Sequence, residues 1–144
     1  MHKLILTALV VASMASQAAS PGVQVKASAE KPKGGLYPIA VTFSIPDGYH
    51  IYGPKVKEGI PTKIAVKGTA FKIASVSYPK TKTFVQLGES LEVYEDVAKV
   101  KLVIKPVKPF RGKATVKLNV TTQACNDRTC LPASTQEVLV TIKS

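Results

Sequence analysis

Beyond residue 22 the apolar residues of this chain recur at every second position, and almost nowhere do they keep the spacing of an amphipathic helix. Successive side chains of a strand point to opposite faces, so a period of two buries one face of a sheet and wets the other. Val23, Val25 and Ala27 share a face of a first expected strand, and Ile39, Val41, Phe43 and Ile45 of a second, which the turn Pro46-Asp47-Gly48 closes. A short strand around His50, Ile51 and Tyr52 precedes the breaker Gly53-Pro54, and Ile64 and Val66 lie on a strand that stops at Gly68. The segment 71–78, the pair Leu91 and Val93, and the trio Val100, Leu102 and Ile104 continue the series. Between Pro79 and Gly88 the chain is polar and lysine-bearing, a long loop or a frayed edge. Ala114, Val116, Leu118 and Val120 mark a strand that reaches Gln123, and Val138, Val140 and Ile142 mark the last. Roughly seven to nine short strands with Gly and Pro punctuation predict an all-β, immunoglobulin-like two-sheet sandwich. A closed barrel is the second candidate.

Ahead of this pattern, His2 and Lys3 precede the apolar run Leu4–Ala12, which gives way to small residues including Ser16, Ala18, Ala19 and Ser20. That order is a secretory signal peptide. Ser16 and Ala18 meet the small-x-small rule, so residues 1–18 are expected to be removed and a single domain, residues 19–144, to begin at Ala19. The apolar run is well short of the roughly 20 residues a bilayer core requires, and stable membrane insertion is not expected. A chain of this remaining length buries a two-layer core without needing a disulfide to fold.

The formal net charge is +11, of which the leader residue Lys3 contributes one. Such a balance suits nucleic acid, an anionic membrane surface or acidic proteins. Its distribution argues otherwise. Lys99 and Lys101 alternate with Val100 and Leu102, and Lys113 and Lys117 with Ala114, Val116 and Leu118, as on the wet face of a half-buried sheet. No basic stretch is interleaved with aromatics that could stack bases, so nucleic acid is not an expected partner.

The chemistry is concentrated in Cys125-Asn126-Asp127-Arg128-Thr129-Cys130, which holds the only two cysteines. In an exported chain two thiols so close are expected to form a disulfide at least part of the time. As a staple such a small loop contributes only about 2 kcal/mol, against nearly 5 for a hundred-residue loop. As a switch it is better placed, because a short turn at the tip of two strands presents both sulfurs to a partner thiolate. Arg128 favours the thiolate and Asp127 opposes it. Two sulfurs would need two further ligands to hold a metal, and after the leader the chain has one histidine, His50, and no methionine. No metal or cofactor site is expected: there is no Gly-rich phosphate cradle, nucleophile elbow or HExxH helix. The competing reading is an exported immunoglobulin-like binding module whose disulfide only stiffens a hairpin.

The segment Thr122–Pro132 resembles the active-site turn of the N-terminal periplasmic domain of the thiol:disulfide interchange protein DsbD, and Ile45-Pro46-Asp47-Gly48-Tyr49-His50-Ile51-Tyr52 is similar to that family's tyrosine-bearing strand. Residues 59–64 and 88–94 follow in family-like order, so the resemblance extends from about Val23 to the C-terminus. It implies an immunoglobulin-like fold, a periplasmic location, and Cys125 and Cys130 as a redox pair. It further implies that electrons arrive from a thioredoxin-like, membrane-coupled reductase domain and leave for periplasmic thiol-disulfide proteins, including those of cytochrome c biogenesis. Cys130 is favoured as the sulfur that joins the partner. Tyr49 and Tyr52 are expected to flank the pair, and the stretch from Phe84 to Gly88 to correspond to a shielding loop. This chain departs from the pattern at Thr122 and at Leu131-Pro132-Ala133, where relatives carry Tyr and Tyr-Pro-Pro, and at Gln86-Leu87, where an aromatic is usual.

Overall fold

The structure is a computed structural model that describes residues 22–144. The expected signal peptide, residues 1–18, lies outside the described residues, as do the first positions of the expected domain.

Among the described residues there are eleven strands and no helix. In chain order they are β1 (Gln24–Ala29), β2 (Tyr37–Ser44), β3 (His50–Tyr52), β4 (Lys63–Val66), β5 (Phe71–Ser77) and β6 (Lys82–Gln86). They continue with β7 (Glu89–Tyr94), β8 (Val97–Pro106), β9 (Lys113–Thr122), β10 (Ala124–Cys125) and β11 (Ser134–Lys143). Every pairing is antiparallel, in three sheets with the orders β1-β2-β8-β5, β11-β9-β4 and β10-β3-β7-β6.

The first two sheets face each other across one core and form an immunoglobulin-like sandwich. Ile39, Val41 and Phe43 of β2 and Val100, Leu102 and Ile104 of β8 pack in one cluster with Val116, Leu118 and Val120 of β9 and Val140 and Ile142 of β11. Burying each such side chain contributes about 1.5–3 kcal/mol, which is why the period of two dictates the layers. Along β8, Ala98, Val100, Leu102 and Ile104 are buried while Lys99, Lys101 and Lys105 are exposed. Lys113 and Lys117 are likewise exposed on β9. These lysines occupy the wet faces, and the basic balance is spread over a sheet surface.

The third sheet sits where the chain leaves the sandwich. After β2 a tight turn, closed by the Tyr49 N–H donating to the Pro46 carbonyl at 3.0 Å and carrying Gly48 at φ 79°, leads into β3. At the far end of β9 the chain passes Gln123 and pairs with β3 as β10, with Ala124 opposite Ile51 and Cys125 opposite His50. The polar stretch from Pro79 to Gly88 contains a regular edge strand, for Lys82–Gln86 pairs along its whole length with Val93–Glu89. Only Phe84 in it turns a large apolar side chain inward, which left its alternation faint in the sequence.

Candidate functional site

Cys125 and Cys130 form a disulfide, with S–S 2.06 Å and Cα atoms 3.9 Å apart, at an antiparallel bridge between the two sides of the turn. The intervening residues are held by Asn126. Its Oδ1 accepts hydrogen bonds from the backbone N–H groups of Arg128 at 2.9 Å and Thr129 at 2.7 Å, while its own N–H donates to the Thr129 carbonyl at 2.8 Å. Below the sulfurs the Leu131 N–H donates to the Ala124 carbonyl at 2.8 Å, so the turn is closed at both levels. An asparagine that organises the turn following it is a recognisable local signal. Arg128 and Asp127, weighed in the sequence for their charge, are both exposed, and Asn126 is the residue whose role that reading missed.

The two sulfur residues are unequal in access. Cys125 is 2% exposed and lies in a small cluster with Tyr52 and Val93, against which Val56, Phe84 and Leu91 pack. Cys130 is exposed. The Tyr52 hydroxyl is 3.4 Å from Cys125 Sγ and 4.0 Å from Cys130 Sγ. Sulfurs of a disulfide carry no hydrogen, so the hydroxyl is the donor to Cys125.

Tyr52 is fixed along its whole length. Its carbonyl accepts from the Thr62 hydroxyl at 2.6 Å and from the Thr62 N–H at 3.3 Å. Its ring lies against Gly59, where a Cβ would come 2.6 Å from the ring carbon Cε2 and where φ is +88°. Only glycine meets both conditions comfortably.

Period two also separates the tyrosines. Tyr52 and His50 share the face of β3 that looks at the sulfurs, whereas half-buried Tyr49 lies just before the strand and packs on the sandwich core. The structure therefore brings together Cys125, Cys130, Tyr52 and Phe84, and sets Tyr49 apart. Phe84 is half-buried, its ring 4.4 Å from that of His50. From the same strand Gln86 Nε2 donates to the Asp127 carbonyl at 3.1 Å, tying β6 to the cysteine turn. Asp127 thus meets its neighbours through its backbone.

His50 is only 3% exposed, and its Nε2 has no hydrogen-bond partner among the described residues. Burial lowers its pKa, and the charge of Glu95 offsets this in part. Among the described residues no group of His, Cys, Asp and Glu side chains is arranged to hold a metal.

An immunoglobulin-like β-sandwich that carries a paired-cysteine turn at one end of its central strand is the class these features define. The chain belongs to the family described as thiol:disulfide interchange protein DsbD, N-terminal, whose sequence model matches residues 16–142. Its fold is similar to that of the N-terminal periplasmic domain of ScsB from Proteus mirabilis, with TM-score 0.64 and 17% identity over 81% of this chain and 45% of that one. It is similar too to the Neisseria meningitidis DsbD N-terminal domain in the reduced form, with TM-score 0.56 and 20% identity over 83% of this chain and 86% of that one. The chain thus spans less than half the length of the ScsB chain it matches. No curated protein sequence matches it.

Proposed function

We propose that this is an exported periplasmic domain, its signal peptide cleaved, that passes electrons by thiol-disulfide exchange through Cys125 and Cys130. The observation that carries the reading is the difference in access between the two cysteines, an exposed Cys130 and a Cys125 that is 2% exposed. Exchange needs one sulfur open to in-line attack and one that leaves and returns. A thiolate of the reduced partner attacks Cys130 Sγ. The Cys125–Cys130 bond breaks, and Cys125 departs with the electron pair as a thiolate while Cys130 joins the partner in a mixed disulfide. The partner's second thiolate then displaces Cys130, so two electrons have moved and the domain holds a dithiol. Delivery onward is the same sequence in reverse. The Tyr52 hydroxyl, 3.4 Å from Cys125 Sγ, is placed to donate to the thiolate that forms there.

The electron source in this reading is a thioredoxin-like, membrane-coupled reductase domain, and the acceptors are periplasmic thiol-disulfide proteins, those of cytochrome c biogenesis among them. Trapping tests it. With Cys125→Ala, Cys130 is expected to collect a covalently attached envelope protein, recovered under non-reducing conditions and released by dithiothreitol. Cys130→Ala is expected to collect little, because the remaining sulfur is covered. No adduct on Cys125→Ala, with the disulfide shut in cells under every reductant, would overturn the proposal in favour of a binding module.

A further inference from the structure

His50 stands directly opposite Cys125 in the β3–β10 pairing. Residues so paired project on one face of the sheet with Cβ atoms about 4.5–5.5 Å apart. The imidazole is enclosed: the Phe84 ring lies 4.4 Å from it, and the Tyr52 ring 6.0 Å away in an edge-on arrangement. A buried polar atom without a partner costs about 1–3 kcal/mol, and native structures rarely keep one without a use. Nε2 of His50 is the one buried side-chain nitrogen or oxygen among the described residues with no hydrogen bond.

The proposed exchange leaves a proton to be placed. In the direction that reduces a partner, Cys130 attacks first, and Cys125 must then lose its thiol proton before its sulfur can attack Cys130 Sγ. Water reaches Cys125 poorly, for that residue is 2% exposed. Among the described residues no carboxylate hydrogen-bonds to either sulfur, and the polar group beside both is the Tyr52 hydroxyl.

We infer that His50 is the general base for Cys125: its imidazole accepts the Cys125 thiol proton as the thiolate displaces the partner sulfur from Cys130, and returns it when the disulfide is reopened. This rests on the exchange reading above. The Cys125–Cys130 bond forms as the bond from Cys130 to the partner breaks, the partner leaves with the electron pair as a thiolate, and the proton passes from His50 to that departing thiolate; reopening runs the same transfers backwards. Desolvation holds the imidazole neutral at neutral pH, the form able to accept. The titratable or charged groups around it are Cys125 on β10, Tyr52 on β3, and Glu95 after β7, whose carboxylate is paired with Lys82 of β6 at 3.6 Å. Glu95 acts against desolvation, so the pH at which His50 charges is set by their balance.

The test follows the reduced protein mixed with glutathione disulfide across pH 5–9. The first glutathione leaves as Cys130 forms the mixed disulfide, and the second leaves as Cys125 resolves it. Two variants are compared with the parent: His50→Phe, which keeps the aromatic packing on Phe84, and His50→Gln, which keeps a polar group without useful proton affinity. The expected result is release of the second glutathione slowed at least about tenfold near neutral pH in both, with the low-pH inflection of the parent lost and release of the first little changed. Equal rates and the same pH profile in either variant that melts as a folded domain would overturn the assignment while leaving the exchange reading intact. Failure of the parent itself to form the mixed disulfide would overturn that reading and the inference together.

Discussion

Glycine at position 59 holds the site more firmly than its exposure suggests. Its φ of +88° and the 2.6 Å that would separate an added Cβ from the Tyr52 ring leave no room for a side chain. Gly59→Ala is expected to cost about 1–3 kcal/mol through backbone strain and overpacking, measured by urea unfolding. Because Tyr52 is the residue whose hydroxyl rests against both sulfurs, the same change is expected to speed reduction of the disulfide by dithiothreitol. An unchanged reduction rate would mean that the ring finds another way to cover them. At this scale the cysteines and their turn were legible because they lie within one short segment, and the resemblance pointed to Tyr52, whose hydroxyl lies beside both sulfurs. It did not disclose Gly59 or His50 as parts of the site, since their roles depend on contacts made across the sheet. Tyr49 was grouped with Tyr52 by resemblance alone, yet its ring packs on the sandwich core while Tyr52 meets the sulfurs.

The hairpin of β6 and β7 is the least conventional element. Gln86 pairs with Glu89 across the two-residue turn Leu87-Gly88, and both turn residues have positive φ, 50° and 80°. That is the type I′ geometry, for which Asn-Gly is the favoured sequence. Leucine at the first position carries strain with no burial in return, for Leu87 is 98% exposed. Leu87→Asn is expected to stabilise the domain by up to about 1 kcal/mol, seen as a higher urea midpoint at unchanged slope. The Leu87-Gly88 pair also explains why a hairpin here was hard to read: its first turn residue is one that left-handed turns seldom use. The long strands β8, β9 and β11 were legible because each alternates over ten residues between a buried and a wet face. The two-residue β10 was not, for so short a strand has no period.

For the molecule as a whole, stability and chemistry are lodged in different places. The core cluster is built from both sandwich sheets, and Cys125 belongs to the smaller cluster beside it. The Cys125–Cys130 link spans a sequence separation of 5, so it restrains little of the unfolded chain. Replacing both cysteines with alanine is expected to leave a cooperatively folding domain, less stable by about 2 kcal/mol in urea. Replacing the fully buried Phe43, near the end of β2, by alanine is expected to cost about 3–5 kcal/mol in the same measurement. Loss of cooperative unfolding in the double-cysteine variant would show that the turn supports the fold after all.

The passage from β9 through Gln123 into β10 gives the sulfurs a mechanical setting. Cys125 rides on the prolongation of a strand clamped by β11 on one side and β4 on the other, with Val116, Leu118 and Val120 anchored beneath, and Cys130 is tied to it across the turn. Such a mount turns the cysteine tip into a stationary contact, much like the fixed pin of a plug. In the proposed exchange, whatever reorientation is needed then falls to the molecule that comes to meet it.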